Sequence, residues 1–363
     1  MYAVIMAGGA GTRLLPLSTP DRPKPFLRLL GDESLFQRTV RRVAPLVDEA
    51  DIYCVVDRRF GHFVREQAPR VGLIVEPAGR NTAAAIALAT TVIDRPDEEV
   101  MLVLPADHWI EREEAFRDIL AVAGGRLATG AFGVDEPLVT LGIDPTHPST
   151  DYGYLRPDTM RSERIEGVRA HPLIAFEEKP NDHRARELLN MPGVAWNAGM
   201  FAWRRGTIRA AIEKYTPLLT LIEPAVGSEL ALAAAYDRIT PISIDHAVME
   251  SAAADHRVLM AGLDVGWSDL GSWSALLAAL GAGRSSNGSG GPTPAGRVVQ
   301  SGETIEVGPG DLVIRSIDGR LAVDAASQGT IVADGVWAHL ADAGHLGSEV
   351  RALLERVQQE ERA

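Results

Sequence analysis

The stretch Val4-Ile5-Met6-Ala7-Gly8-Gly9-Ala10-Gly11-Thr12-Arg13-Leu14, followed by Pro23-Lys24-Pro25-Phe26, decides how the rest of the chain is read. Its apolar opening has the length and composition of a buried strand. Gly8, Gly9 and Gly11 let the backbone turn sharply and bring N–H groups close to an anion. Arg13 then offers a fork of donors and Lys24 a point charge. Together these residues read as a loop that wraps phosphates; a tight strand-to-helix turn with solvated charges is the competing reading. Two common phosphate loops fit badly. The dinucleotide fingerprint needs a third glycine where this chain has Leu14, and the Walker A loop needs Gly-Lys-Ser/Thr, whereas Lys24 lies far beyond Gly11. Hydride transfer and ATPase or GTPase chemistry are therefore disfavoured, and a triphosphate held by backbone N–H groups, Arg13 and Lys24 remains.

The 363 residues suggest about two domains. A net charge of -13 argues against a nucleic-acid partner and favours small anionic ligands in a local basic pocket. One cysteine, Cys54, cannot form an internal disulfide, and no apolar run has the length of a membrane span or signal peptide. A soluble, cytoplasmic protein without a membrane partner is expected. Strand-like runs at 2–6, 52–56, 72–75 and 100–104 alternate with helical patterns at 34–45, 82–93 and 113–123. That alternation predicts an α/β fold around a largely parallel sheet, with ligands at the carboxyl ends of its strands, where Gly8, Glu76 and Asp107 fall. Further strands are expected at 138–143, 173–178, 194–203 and 240–244. Ser285 to Pro294 holds only Ser, Asn, Gly, Pro and Thr and reads as a linker or mobile loop. Beyond it, short β-type segments at 297–299, 304–307, 311–317 and 320–324, with Asp318-Gly319 as a hairpin turn, precede a last helix. Ser348 can cap that helix, and Val350, Leu353, Leu354 and Val357 form an apolar stripe. The stripe suits packing within its own domain or a homodimer interface, and both readings stay open.

Four other groups of residues carry chemistry. In Glu76-Pro77-Ala78-Gly79-Arg80-Asn81-Thr82, Asn81 or Thr82 suits a helix cap, while a carboxylate at Glu76 can accept from both N1–H and the exocyclic amine of a guanine. Asp107, in Leu104-Pro105-Ala106-Asp107-His108, is well placed for Mg2+, which takes one or two carboxylates and fills its other positions with phosphate oxygens and water. Asp269, in Gly266-Trp267-Ser268-Asp269-Leu270-Gly271, could complete that metal site, with Asp264 as the runner-up; a helix start is the competing reading of Asp269, as a helix cap is of Asp107. Gly153, Glu178, Lys179 and Asn197 supply what a sugar phosphate requires: backbone approach, hydroxyl partners and a cation.

These motifs, in this order, resemble the mannose-1-phosphate guanylyltransferases of the sugar nucleotidyltransferase superfamily. The likeness rests on Gly8-Gly9-x-Gly11-Thr12-Arg13-Leu14, Pro23-Lys24, Glu76 to Ala83, Leu104 to His108, Glu178-Lys179-Pro180, Trp196 to Phe201, Ser243 to Glu250 and Gly266 to Trp273. It departs from the family at Leu15, Pro25, Asp151 and His246, where Trp, Gln, Gly and Tyr are common. The resemblance implies a Rossmann-like three-layer α/β/α fold with a mixed, mostly parallel sheet. It further implies a catalytic domain over 1–284, a linker over 285–296 and a small β-rich domain over 297–363 ending in a helix. The implied reaction is GTP plus α-D-mannose 1-phosphate giving GDP-mannose plus diphosphate. Arg13, Lys24, Asp107 and Asp269 are the implied catalytic residues. Gly8, Gly9, Gly11, Thr12, Arg13, Lys24, Glu76, Arg80, Asn81 and Thr82 would bind nucleotide, Gly153, Glu178, Lys179 and Asn197 sugar phosphate, and Asp107 and Asp269 Mg2+. Another base or sugar, such as glucose 1-phosphate, and a non-catalytic regulatory subunit are the alternatives. Some longer relatives carry a fused isomerase domain, and that second activity is not expected here.

Overall fold

The computed structural model describes residues 1–9, 14, 18–271, 275, 276, 279, 299–301, 304–307, 312–317, 320–325 and 329–332. Its elements run in the order β1 (Tyr2–Met6), α1 (Leu35–Val43), β2 (Ile52–Asp57), α2 (Gly61–Gln67), β3 (Gly72–Glu76), α3 (Asn81–Val92), β4 (Val100–Pro105), β5 (Trp109–Ile110) and α4 (Glu113–Val122). Then come β6 (Leu138–Ile143), β7 (Tyr154–Pro157), β8 (Glu163–Ile165), β9 (Val168–Glu177), α5 (Asp182–Leu189), β10 (Ala195–Arg204), α6 (Arg205–Tyr215), α7 (Leu218–Ile222) and α8 (Glu229–Asp237). The remainder is α9 (Glu250–Ala254), β11 (Val258–Gly262), β12 (Trp267–Ser268), and β13 (Val299–Ser301), β14 (Thr304–Val307), β15 (Leu312–Ile317), β16 (Arg320–Ala325) and β17 (Gly329–Val332).

The chain divides into two compact units. The first comprises Met1–Gly8, Thr39–Ala106 and Ile110–Trp267, and the second Gly9–Arg38, Asp107–Trp109 and Ser268–Ala363. In the first unit lies a sheet of order β3-β2-β1-β4-β10-β6-β11-β9-β7, with β8 paired to β9. Its β3-β2-β1-β4 half is parallel throughout. From β10 outward most pairings are antiparallel, β6 with β11 being parallel. The sheet is thus mixed, and the parallel character read from the sequence belongs to its N-terminal half.

Buried parallel strands bury both faces, so their sequences are continuous apolar runs. Val100-Met101-Leu102-Val103-Leu104 of β4 is buried throughout and stops at Pro105. The α3 helix is apolar on every side: Ala83 to Thr90 are all buried. Its small alanines let neighbouring elements approach closely, and the large residues of the core sit elsewhere, as where Trp203 stacks on Phe201 with ring centroids 5.0 Å apart.

The segment 240–244 is not a strand. Pro241 cannot donate to a ladder, and the backbone here ties down the start of α3 instead. Ile242 O accepts from Ala83 N–H, and Ile244 N–H donates to Thr82 Oγ1 at 2.8 Å. The strands β5, β7, β8, β11, β12 and β17 come in addition to those expected from the sequence. In the second unit β13 to β17 form one antiparallel sheet in chain order. Ile317 pairs with Arg320, the register a two-residue hairpin requires, although Asp318 and Gly319 themselves lie outside the described residues. The 285–296 linker and the C-terminal helix with its stripe also lie outside them. No helix among the described residues is long and apolar enough to cross a membrane.

Candidate active site

In the second unit, local proline chemistry sets Lys24 in place. Thr19 and Arg22 close a tight turn through two backbone hydrogen bonds of 3.1 Å, Pro23 continues extended, and Lys24-Pro25-Phe26 forms one 3-10 turn. Phe26 anchors that turn against Phe36, edge to face at 5.5 Å. The Lys24 side chain is 6% exposed, and its Nζ lies 2.7 Å from Asp107 Oδ2 and donates at 2.6 Å to the backbone carbonyl of Asp269. Burial works against the charge on Asp107, but the Lys24 ammonium and neighbouring His108 hold its carboxyl below the usual carboxylate range. Asp107 is therefore an anion at neutral pH.

The carboxylate of Asp269 accepts from Gly271 N–H at 3.1 Å, and a side chain at Gly271 would collide with it. Asp264, in the first unit, is exposed and paired with Arg112 at 2.5 Å. No cluster of three or more His, Cys, Asp or Glu gathers among the described residues. Mg2+ does not require one, because one or two carboxylates with phosphate and water oxygens suffice. Asp107, kept ionised, and Asp269 are hard oxygen donors of the right kind and number for it. Gly9 adopts φ +128°, a conformation that glycine tolerates best. Gly11, Thr12 and Arg13 lie outside the described residues.

In the first unit the loop after β3 forms a second group. Glu76 is 3% exposed, and Tyr236 of α8 donates its hydroxyl to Glu76 Oε1 at 3.2 Å. Burial pushes the Glu76 carboxyl up to about 7 despite that hydrogen bond, with the nearby charge of Asp57 adding to the effect. The two acids are direct partners in the register of β2 and β3. Gly8 lies beside Glu76: a Cβ there would sit 3.9 Å from Oε2. Arg80 donates from Nε to the Tyr236 carbonyl at 2.6 Å and lies 3.5 Å from Asp237. Asn81 adopts φ +67°, and its side chain accepts from Thr82 N–H at 2.8 Å. The Thr82 hydroxyl, expected to serve as a helix cap, instead accepts from Ile244 N–H.

A third group, also in the first unit, joins Gly153, Glu178 and Asn197, which are far apart in sequence. The register of β10 against β6 shifts between Asn197 and Phe201, and Gly199 takes φ +64° within that bulge, which sets the direction of the Asn197 side chain. Asn197 N–H donates to Gly153 O at 2.8 Å, its Oδ1 accepts from Thr140 Oγ1 at 2.8 Å and Gly199 N–H at 3.2 Å, and its Nδ2 donates to Asp245 Oδ1 at 2.8 Å. Gly153 has no room for a side chain, since a Cβ would collide with Glu178 Oε2. Glu178 is nearly buried, its N–H donates to Glu250 Oε1 at 3.1 Å, and its Oε1 lies 3.4 Å from the exposed Lys179 ammonium. Tyr152, Trp196 and Trp267 pack ring against ring beside this group. Asp245, to which the sequence reading gave no role, belongs here: burial and the Glu178 charge push its carboxyl up to about 7. Its one signal in the sequence was its place in the Ser243 to Glu250 block. Tyr236 and Thr140 left no signal.

Residues 2–284 match the nucleotidyl transferase family model. The chain belongs to the nucleotidyl transferase family. It is 37% identical over 292 residues to the mannose-1-phosphate guanylyltransferase of Sinorhizobium fredii, covering 75% of this chain and 53% of that one. To the alginate biosynthesis protein AlgA of Pseudomonas aeruginosa it is 38% identical over 291 residues, covering 76% and 58%. The chain thus spans a little over half the length of these relatives. Among solved structures it is similar to a Thermus thermophilus protein described as a mannose-1-phosphate geranyltransferase, with 30% identity, a TM-score of 0.70 and 99% of both chains covered. The resemblance read from the motifs is borne out, and so is the nucleotidyltransferase type of fold with its mixed sheet and helices.

Proposed function

We propose that this protein makes GDP-mannose from GTP and α-D-mannose 1-phosphate, releasing diphosphate. The observation that carries the reading is Lys24, whose ammonium is buried and tied to the anionic Asp107, two residues past the end of β4. A buried cation beside an ionised carboxylate suits polyphosphate chemistry, in which charge must be neutralised and a divalent ion accommodated. A phosphate oxygen of the sugar 1-phosphate attacks the α-phosphorus of GTP in line; the new P–O bond forms as the bond to the β-phosphate oxygen breaks, and diphosphate leaves. The nucleophile is already an anion, so positioning and charge stabilisation carry the step.

Lys24 neutralises charge at the α-phosphate, and the backbone of Gly8, Gly9, Gly11 and Thr12 with Arg13 holds the departing diphosphate. Ionised Glu76 accepts the two donors of guanine, and Arg80, Asn81 and Thr82 shape the loop beside it. Glu178, Asn197 and Gly153 receive the sugar, and Lys179 its phosphate. Asp107 and Asp269 would hold Mg2+, which when bound supplies positive charge to the phosphates. The family match ends at residue 284, which supports a catalytic domain over 1–284 followed by the 285–296 linker. The β13 to β17 sheet supports a small β-rich domain over 297–363. A three-layer α/β/α arrangement, a homodimer through the C-terminal region and a cytoplasmic location complete the proposal. Lys24→Ala tests its core: kcat should fall by about 100-fold or more with an unchanged circular dichroism spectrum. Near-native turnover by the folded variant would remove Lys24 from the mechanism.

A further inference from the structure

The hydrogen bonds of Asn197 fix which way its amide points. Gly199 N–H can only donate, so the atom it meets must be the amide oxygen, and Thr140 Oγ1 donates to the same atom. The nitrogen then faces Asp245 Oδ1 at 2.8 Å. With two donors on its oxygen and one of its two amide hydrogens given to Asp245, Asn197 has one N–H left and no acceptor to offer. It is also 9% exposed. A sugar hydroxyl that donates a proton therefore needs another partner.

Asp245 has what Asn197 lacks. It is half-buried, whereas its neighbours Ile244 and Ala247 are buried. Among the described residues Asn197 is the one side-chain hydrogen-bond donor to it, and that bond uses Oδ1. Glu178 is close enough for its charge to disfavour that of Asp245. Two such carboxyl groups beside an ammonium at Lys179 and an aromatic wall of Tyr152 and Trp196 form a polar set with carboxylate acceptors that O–H donors can meet. A polyhydroxylated ligand supplies those donors.

We propose that Asp245 is a specificity-determining residue of the sugar subsite. Its Oδ2 accepts a hydroxyl of the sugar 1-phosphate, and Asn197 acts as the positioning residue that holds the carboxylate in place. The proposal rests on the sugar-phosphate reading given above. Asp245→Asn tests it, because an asparagine oxygen can still accept from Asn197 Nδ2 while the second atom becomes a donor. KM for the sugar 1-phosphate should rise about tenfold to hundredfold, the range for losing a hydrogen bond to a charged group, while KM for GTP stays within about twofold. On a series of sugar 1-phosphates each lacking one hydroxyl, the native protein should lose the same factor with one member, and Asp245→Asn should lose nothing further with it. Asp245→Ser, measured in the same way, serves if the asparagine variant does not fold.

An unchanged sugar KM overturns the proposal. So do independent, multiplying losses for the variant and every deoxy substrate, because a purely structural role would give them. The native protein's own choice of sugar 1-phosphate reports on the parent reading separately. If another sugar is preferred, the variant-to-native ratio on that sugar still decides the role of Asp245.

Discussion

Replacing Glu76 by Gln should make the protein more stable and less discriminating. Glu76 is 3% exposed, and burial, opposed by the Tyr236 hydrogen bond and aided by Asp57, raises its carboxyl from 4.5 to about 7. At about 1.4 kcal/mol per pH unit, holding the ionised form in the folded chain costs about 3 kcal/mol at pH above both values. The sign follows from proton binding: between pH 4.5 and 7 the folded state holds a proton that the unfolded state has released, so stability falls as pH rises through that window. Glutamine removes the charge, and its oxygen can still accept from Tyr236. Less the desolvation of its unpaired amide hydrogens, a net gain of about 1–3 kcal/mol is expected at about pH 8, or on the order of 5 °C in melting temperature. The gain should be nearly gone by about pH 4.5, where the folded carboxyl is protonated and the unfolded one half protonated. Denaturant unfolding of both proteins from about pH 4.5 to about pH 8.5 measures it. In the same variant, preference for GTP over other nucleoside triphosphates should fall about tenfold or more, since an amide oxygen cannot replace a carboxylate facing two donors. A stability difference that is flat with pH would refute the account of Glu76 as a carboxylate held against its burial.

Three further outcomes follow from single positions. Gly153→Ala places a methyl group against Glu178 and 3.1 Å from the Phe176 ring, so steady-state kinetics should show KM for mannose 1-phosphate raised about tenfold, with KM for GTP little changed. Asn81→Ala, at φ +67°, should lose about 1–2 kcal/mol of stability in denaturant unfolding while Asn81→Gly stays near native. Chelation with EDTA should abolish diphosphate release, added Mg2+ should restore it, and Asp107→Asn should raise the Mg2+ concentration needed for half-maximal rate; full activity in EDTA would exclude the metal.

Much of the parallel half of the sheet was legible in the sequence because burial on both faces leaves unbroken apolar runs. β1, β2, β3 and β4 fall within a residue of where those runs place them, and so does β6 in the other half. The antiparallel half was harder. Val258 to Gly262 is a five-residue apolar run that periodicity cannot distinguish from a helix segment, and Tyr154-Leu155-Arg156-Pro157 mixes polar residues with a terminal proline. Thr240 to Ile244 looked like a strand because its apolar residues alternate, yet its backbone partners come from the start of α3.

The site divides in the same way. Lys24 and Asp107 were legible as charges beside loops, and the structure brings them to 2.7 Å. Asp245 was not, because its importance arises from Asn197, 48 residues earlier in the chain, and from a burial that no local pattern encodes. The same holds for Tyr236, a lone aromatic in an alanine-rich helix that reaches Glu76 across 160 positions. Where hydrogen bonds join distant segments, sequence supplies the partners but not the pairing.

The most direct measurement is diphosphate release with Mg2+ from each of the common nucleoside triphosphates, paired in turn with mannose 1-phosphate, glucose 1-phosphate and other sugar 1-phosphates. The account predicts the highest kcat/KM for GTP with mannose 1-phosphate and GDP-mannose as the product. Release that is faster with UTP or dTTP, or no release with any pair, would contradict it.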